Sequence, residues 1–401
     1  MSLSLTPPTS ERVTCCLCFK ANLSPLWQLD NLPFTDTLGE YTDGYPAIDQ
    51  TLMICDACGM VQLLKVVAPK FLYNPLNYNY ERISGPKITQ EANLYKDLLQ
   101  EFFSDEKARE TKVLEIGGSS ELFMNEIVGL FECGIIVDPA PIIPNHQNPK
   151  ISFVKGFMEN NLDLVANKEI NLIICRHVIE HVPNPRDFIA SILDSATEDA
   201  LFVFETPNFD SLQIKMRLDA IFHQHVNYFD PNTFRHLIES SGGQIAKEVL
   251  LENGSNGGVM IFLFWKSNKF TNKKLLKVNT LTLISKFEHA LLTFRKSIDS
   301  LNLKIDSIQD NYYGIGAGSL LPILNYHLDG RIIKSLGIID DNLKKDGMTY
   351  KNVNLLIHSP EILKEKLSFN CLITSLENRK LLYGRANALG FKNIMFIPPL
   401  D

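Results

Sequence analysis

The chain has 401 residues, of which 45% are hydrophobic and 21% charged, the balance of a folded globular protein, so disorder is excluded as a description of the whole. At roughly 100–200 residues per domain, this length predicts two to four domains. The net charge is −7 and no Lys/Arg cluster forms a basic face, which argues against nucleic acid as a partner.

No stretch reaches the ~18 apolar residues of a membrane span, so no membrane partner is expected. Met1–Arg12 lacks a basic start followed by an apolar core, so the sequence reads as cytoplasmic, in a reducing compartment. Eight cysteines are present, five of them within the first 58 residues. Cys133, Cys175 and Cys371 stand alone in apolar surroundings and read as core residues.

Cys15-x-x-Cys18 and Cys55-x-x-Cys58-Gly59 are two matched turns, each able to aim two thiolates at one metal. Together they predict a tetrahedral four-sulfur zinc site, structural because four ligands leave no open position. Cys16 is an extra thiol, and Cys15 is preferred because it keeps the x-x spacing. The segment between the pairs is too short to build a core, so a metal staple suits it. This module is expected to span residues 1–75.

Residues 87–109 read as a helix, with Ala92, Leu94, Leu98 and Leu99 among polar positions. Thr111–Ile116 reads as a strand that breaks at Gly117-Gly118 and enters an apolar-periodic helix, Leu122 to Leu130. A second strand, Gly134 to Val137, closes in Asp138, completing half of a doubly wound βαβ unit. The turn is neither G-x-G-x-x-G nor the Lys-bearing phosphate loop. Glu115-x-Gly117-Gly118 with Asp138 suits a ligand that has a ribose but no phosphates, and S-adenosylmethionine fits.

Ile170–Cys175 is a continuous apolar run, as in a buried parallel strand, and it ends in Arg176-His177. Polar groups there face the crevice of such a fold. Ala200–Glu205 is another buried strand, stopping at Thr206-Pro207-Asn208. The donor-binding residues expected are Glu115, Gly117, Gly118, Asp138, Arg176 and His177.

These residues resemble the S-adenosylmethionine-dependent sugar C-methyltransferases over nearly the whole chain. The resemblance includes Pro33-Phe-Thr-Asp-Thr-Leu38, Cys58-Gly-Met-Val-Gln62-Leu63, Tyr78-Asn-Tyr80, Glu180-His181-Val-Pro183 and His223-Gln224-His225-Val-Asn-Tyr228-Phe229. It implies a class I, Rossmann-like methyltransferase domain (76–268) between the zinc module and a C-terminal Rossmann-like α/β domain (269–401). It also implies C-methylation beside a ketone of a nucleotide-linked sugar. Two departures stand out. The family's Tyr-His-Glu-His is here Phe222-His223-Gln224-His225, and its His-Gly-Gly-Ser is Asn256-Gly257-Gly258-Val259. With these replacements, O-methylation of a sugar or related small molecule stays open.

His225 is the expected base, because a histidine can take a proton near neutrality. His223 would share its face if the segment is extended. Gln224 is expected to donate to a developing oxyanion. Tyr78 and Tyr80 are expected to contact the sugar or help move protons, and His181 to line the donor side or cap a helix. Asn208 and Asn256 are expected to contact substrate.

Ile284, Phe287, Leu291, Phe294, Ile298, Leu301 and Ile305 mark a long helix, expected to pack on its own domain. Asn311-Tyr-Tyr-Gly314-Ile-Gly316-Ala-Gly318 reads as a strand ending in a Gly-rich turn before a helix, and Ser335–Ile339 as a second strand closing in Asp340. Read alone, this is a nicotinamide site and predicts an oxidoreductase. The resemblance instead assigns Gly314, Gly316 and Gly318 to the nucleotide-sugar diphosphate at a helix N-terminus. A degenerate binding protein without catalysis is the remaining alternative, and a monomer is the expected state.

Overall fold

The computed structural model describes residues 7–74, 86–140, 148–167, 169–267, 278–308, 311–363 and 369–397. Tyr78 and Tyr80 lie outside the described residues. Among the described residues no helix is long and apolar enough to cross a membrane.

The centre of the molecule is a seven-stranded sheet. Its strands are β1 (Lys112–Ile116), β2 (Cys133–Asp138), β3 (Ile151–Lys155), β4 (Leu172–Arg176), β5 (Leu201–Pro207), β6 (Gly243–Leu251) and β7 (Val259–Lys266). The spatial order is β6-β7-β5-β4-β1-β2-β3. Strands β1 to β5 run parallel, and β7 inserts antiparallel between β5 and β6. Every residue of β4 and β5 is buried, which is why both read as unbroken apolar runs. Edge strand β6 alternates between half-buried and exposed positions. The strand order reverses at β1, so a crevice opens at the carboxyl ends of β1 and β4, where α/β sheets bind ligands.

The single helix expected over 87–109 is two, Pro86–Gln100 and Asp105–Arg109. Ser104 breaks the run by capping the second through a bond from the Lys107 amide.

Ahead of this sheet, Leu23–Pro33, Ala47–Cys55 and Val61–Leu63 form an antiparallel sheet. Its fourth strand, Asn227–Tyr228, comes from far along the chain. Beyond the central sheet lies a five-stranded all-parallel sheet of Tyr312–Ile315, Ile338–Ile339, Ile357–His358, Asn370–Ile373 and Ile394–Met395. The strand expected at Ser335–Ile339 shortens to its last two residues, because Arg331–Lys334 forms a helical turn that Ser335 closes.

The long helix spans Thr280–Ser307, with Phe287, Leu291, Phe294, Ile298, Leu301 and Ile305 buried. It does not pack on the C-terminal region alone. Phe287 lies between Trp27 of the N-terminal sheet (6.4 Å between ring centroids) and Phe209 of the central region (6.0 Å), and Phe294 meets His327 (5.1 Å). One hydrophobic core therefore joins all three regions along this helix. Truncation of Phe287 to Ala should cost about 3–5 kcal/mol of stability. Chemical denaturation followed by Trp fluorescence checks this, and a loss below about 1 kcal/mol would contradict the shared core.

Candidate functional site

The two Cys turns converge. Cys15 Sγ lies 3.6 Å from Cys58 Sγ, and Cys18 Sγ 3.5 Å from Cys55 Sγ. All four sulfurs fall within 4.8 Å of one another. A tetrahedron with metal–sulfur bonds of about 2.3 Å has edges of about 3.8 Å, so the donor set and its spacing fit one zinc. Gly59 turns the second knuckle at φ +75°, where a Cβ would strike Leu283. The structure brings Cys15, not Cys16, into the cluster. The Cys16 thiol donates to Asn227 Oδ1 (3.4 Å), and its amide to Gln62 Oε1 (2.8 Å).

A cavity of about 540 Å³ opens at the carboxyl ends of β1, β2 and β4, within the usual range for ligand sites. The N-terminal region closes it with Asp36 and Tyr73, and the C-terminal region with Gly318, Ser319, Ser375 and Glu377.

On the donor side, Gly117 (φ +69°) lines the cavity, and a Cβ there would collide with Val178. The backbone can therefore approach a ligand only because this residue is glycine. The Ser119 amide donates to Asp138 Oδ2 (2.9 Å) and the Ala140 amide to Oδ1 (2.7 Å). Asp138 thus ties the glycine turn to β2 before it meets any ribose, and burial pushes its pKa up. Glu115 and Gly118 were expected at the ligand, but they lie beneath the turn and are not among the cavity's lining residues.

Arg176 and His177 line the cavity and are committed to carboxylates. Arg176 Nη2 lies 2.5 Å from Glu91 and its Nε 3.3 Å from Glu205, with the guanidinium 3.8 Å from the Phe123 ring centre. His177 Nε2 lies 3.0 Å from Glu205 Oε1 and its Nδ1 3.4 Å from Glu180 Oε1. Burial alone would lower the His177 pKa, but the two carboxylates outweigh it and raise it to about 9.

The acceptor side carries the expected base. His225 is buried and lines the cavity, its ring 4.8 Å from that of His181. Burial, with His181 adding to it, pushes the His225 pKa down to about 3, so the imidazole is neutral. His181 Nδ1 pairs with the Gln224 carbonyl (3.0 Å). Glu180 completes a cluster with these two rings, the ligating atoms all within 4.8 Å of one another. Its carboxyl accepts from Thr206 (3.1 Å), and its pKa stays low although buried because His177 and His181 face it.

Other expectations are corrected. Residues 221–226 form no strand, and the His225 amide bonds to the Phe222 carbonyl (3.0 Å), so His223 does not share a face with His225. His223 Nε2 instead contacts the Leu32 carbonyl (2.9 Å), and its ring packs on Phe34. Gln224 lines the cavity, but its amide nitrogen donates to Asp36 Oδ2 (3.3 Å) rather than being reserved for an oxyanion. Asn208 is the N-cap of Phe209–Ile214, accepting from the Asp210 amide. Gly314 and Gly316 pack under Ile338 and Leu382, and of the three turn glycines only Gly318 lines the cavity. Asn256 does line it, in a left-handed conformation (φ 55°), with its amide donating to Glu377 (3.0 Å).

Several lining residues were not singled out from sequence. Asp36 stands inside the quoted Pro33–Leu38 run, and its position among apolar and hydroxyl residues is the one signal it gave. Tyr73 sits with its ring edge-on to His181 (6.3 Å). Glu377 binds Arg217 and Lys87, which lie far from it in sequence.

Residues 88–248 match a family model described as a methyltransferase domain. Over 222 residues the chain is 24% identical to the C-methyltransferase NovU of Streptomyces niveus, covering 53% of this chain and 50% of that protein. The chain thus spans about half the length of the curated relative it matches. Among solved structures, the N-methyltransferase NodS of Bradyrhizobium japonicum WM9 is 15% identical at a TM-score of 0.34, covering 44% of this chain and 97% of that one. The magnesium protoporphyrin IX methyltransferase ChlM of Synechocystis PCC 6803 is 12% identical at 0.36, covering 47% and 90%. The family match and the strand order together identify the central region as a class I, S-adenosylmethionine-dependent methyltransferase domain.

The raised His177 pKa has a consequence for stability. The ion pairs contribute fully below the ordinary value of 6.5 and are lost as pH rises through about 9. The gap in melting temperature between the unaltered protein and His177→Gln should therefore be largest near about pH 6 and shrink toward about pH 10. A gap independent of pH would contradict the charged pairing.

Proposed function

We propose that the chain is a methyltransferase that uses S-adenosylmethionine to methylate a sugar carried on a nucleotide, at the carbon beside a ketone. The observation that carries this reading is that the glycine turn of β1, a neutral His225 and the C-terminal Gly318–Ser319 turn all line the same cavity. When bound, S-adenosylmethionine supplies an electrophilic methyl group on a sulfonium. Gly117 and the ends of β1 and β2 would hold it, with Asp138 at the ribose.

His225 takes the proton from the acceptor carbon. The unprotonated ring can accept the proton, and Glu180, by countering the charge that develops as the imidazolium forms, offsets the basicity that burial takes away. His181, fixed by the Gln224 carbonyl, holds the base in place. Ser319, Ser375 and Asn378 offer polar groups to the sugar-nucleotide half. Alignment of donor and acceptor within one cavity adds to the rate. Deprotonation of a hydroxyl by the same histidine would give O-methylation.

A nicotinamide site at the C-terminal turn is less well supported. Lys345 Nζ donates to the Ala317 carbonyl (2.7 Å) and lies 3.7 Å from Asp340, the acid expected at a ribose, a contact with no counterpart at Asp138 among the described residues. The turn's approach is thus filled by this chain's own side chains.

Calorimetry with S-adenosylmethionine, followed by transfer of a labelled methyl to sugar nucleotides, tests the reading. His225→Ala should bind the donor normally and lose turnover by at least ~10²-fold. No donor binding would sink the methyltransferase reading, and unchanged turnover would move the proton to another residue. For the Cys cluster we propose structural zinc, with about one ion per chain. Elemental analysis should find it lost, and the melting temperature lowered, in Cys58→Ser but not in Cys16→Ser.

A further inference from the structure

The cavity wall contains two acceptor atoms that are buried and unsatisfied. Asp36 Oδ2 accepts from Thr35 Oγ1 (2.9 Å) and from Gln224 Nε2 (3.3 Å), while Asp36 Oδ1 has no hydrogen-bond partner among the described residues. Gln224 Oε1 has none either. Asp36 is 9% exposed and Gln224 4%, and both line the cavity. Ser319 also pulls on the Asp36 carboxyl from the C-terminal turn, but no donor among the described residues is within hydrogen-bond distance of Oδ1 or of Gln224 Oε1, and a buried acceptor left so costs about 1–3 kcal/mol, which a ligand's donors would offset. Asp36 is held at φ 57°, a left-handed conformation that costs a non-glycine residue on the order of 1 kcal/mol.

The position relative to the base is defined by bonds. Asp36 holds the Gln224 side chain, the Gln224 carbonyl holds His181 Nδ1, and the His181 ring abuts His225. Burial, against the pull of Thr35 and Ser319, raises the Asp36 pKa to about 6. Its neighbourhood is thus set for a group that shares hydrogen bonds rather than one that pairs with a cation.

Resting on the sugar-methyltransferase reading above, we propose that Asp36 and Gln224 form the subsite for the acceptor's hydroxyl groups, their Oδ1 and Oε1 accepting from hydroxyls next to the atom that His225 deprotonates. Asp36 is then a residue of the N-terminal region that determines specificity for a hydroxylated acceptor. A site built to bond a hydroxyl discriminates strongly against an analogue without it, because its polar atoms are then left unpaired.

The test measures binding, so that it does not depend on turnover. UDP-glucose, dTDP-glucose and their singly deoxygenated hexose analogues are titrated by calorimetry into the full chain saturated with S-adenosylhomocysteine. At least one deoxy analogue should bind the unaltered protein ~10-fold or more weakly than its parent, and Asp36→Asn should bind the parent sugar ~10-fold or more weakly while holding S-adenosylhomocysteine as before. In Asp36→Asn that deoxy analogue should bind as well as its parent. The double variant Asp36→Asn/Gln224→Glu, which moves the carboxylate across the same hydrogen bond, should recover parent-sugar binding. If the sugars bind and Asp36→Asn binds them unchanged, the subsite is overturned and the sugar reading stands. If no sugar binds the donor-loaded protein, the sugar reading is overturned and the subsite with it. A loss of S-adenosylhomocysteine binding or of folding in Asp36→Asn, unrepaired by the double variant, assigns the residue to structure and overturns the proposal.

Discussion

The site depends on one buried segment, Phe222–Tyr228, whose backbone has to be satisfied away from water. It is held from both sides. The Val226 amide donates to the Glu180 carbonyl (2.9 Å), and the Leu63 amide to the Val226 carbonyl (3.0 Å). Asn227 Nδ2 donates to the Ile179 and Val182 carbonyls, and Arg12 reaches Pro183, Val226 and Asn227. Because Asn227–Tyr228 is also a strand of the N-terminal sheet, the methyltransferase domain cannot place His225 without that sheet. The cysteine cluster bears on the same point. Strand Val61–Leu63 leaves directly from the second Cys turn, and Gln62 is pinned by the Cys16 amide and the Thr14 carbonyl. The cysteine cluster lies outside the cavity lining yet still bears on where His225 stands.

The two Rossmann-like halves use the same local device and put it to different ends. In each, an acid at the end of the second strand accepts from an amide of the first strand's turn, Asp138 from Ser119 and Asp340 from Ala317. This bond sets the shape of the turn in both. In the central domain the turn lines the open cavity beside Gly117. In the C-terminal half Lys345 covers Ala317, and only the later part of the turn, Gly318–Ser319, reaches the cavity. Similar motifs thus stand at two walls of one cavity.

What could be read from the sequence follows from the range of each interaction. Strands β4 and β5 were legible because burial on both faces leaves an unbroken apolar run, and the helix seam from Phe287 to Ile305 because its period is local. What covers that seam was not legible, since periodicity defines a face and not its partner. Trp27 and Phe209 meet Phe287 only through tertiary packing. His223 was misplaced for a related reason. Alternation predicts a shared face only in an extended chain, and the segment turns at Phe222. Asn208 was assigned to substrate from its place after a strand end, where the same residue type serves equally as a helix cap.

The electrostatics of the cavity also depend on distant pairs. Arg176, His177 and Arg217 all face it, and each is already matched by carboxylates from other elements: Glu91 and Glu205, Glu180 and Glu205, Asp219 and Glu377. The cavity's cations are therefore positioned rather than available as a general anion trap. Glu377 extends this balance across the region boundary, because it binds Arg217, Lys87 and the Asn256 amide together. Closure of the cavity by the C-terminal half and charge balance within the methyltransferase domain are thus one arrangement. A ligand entering between them meets dipoles and hydrogen-bond groups already fixed by their own partners, so its binding requires little reorganisation of the wall.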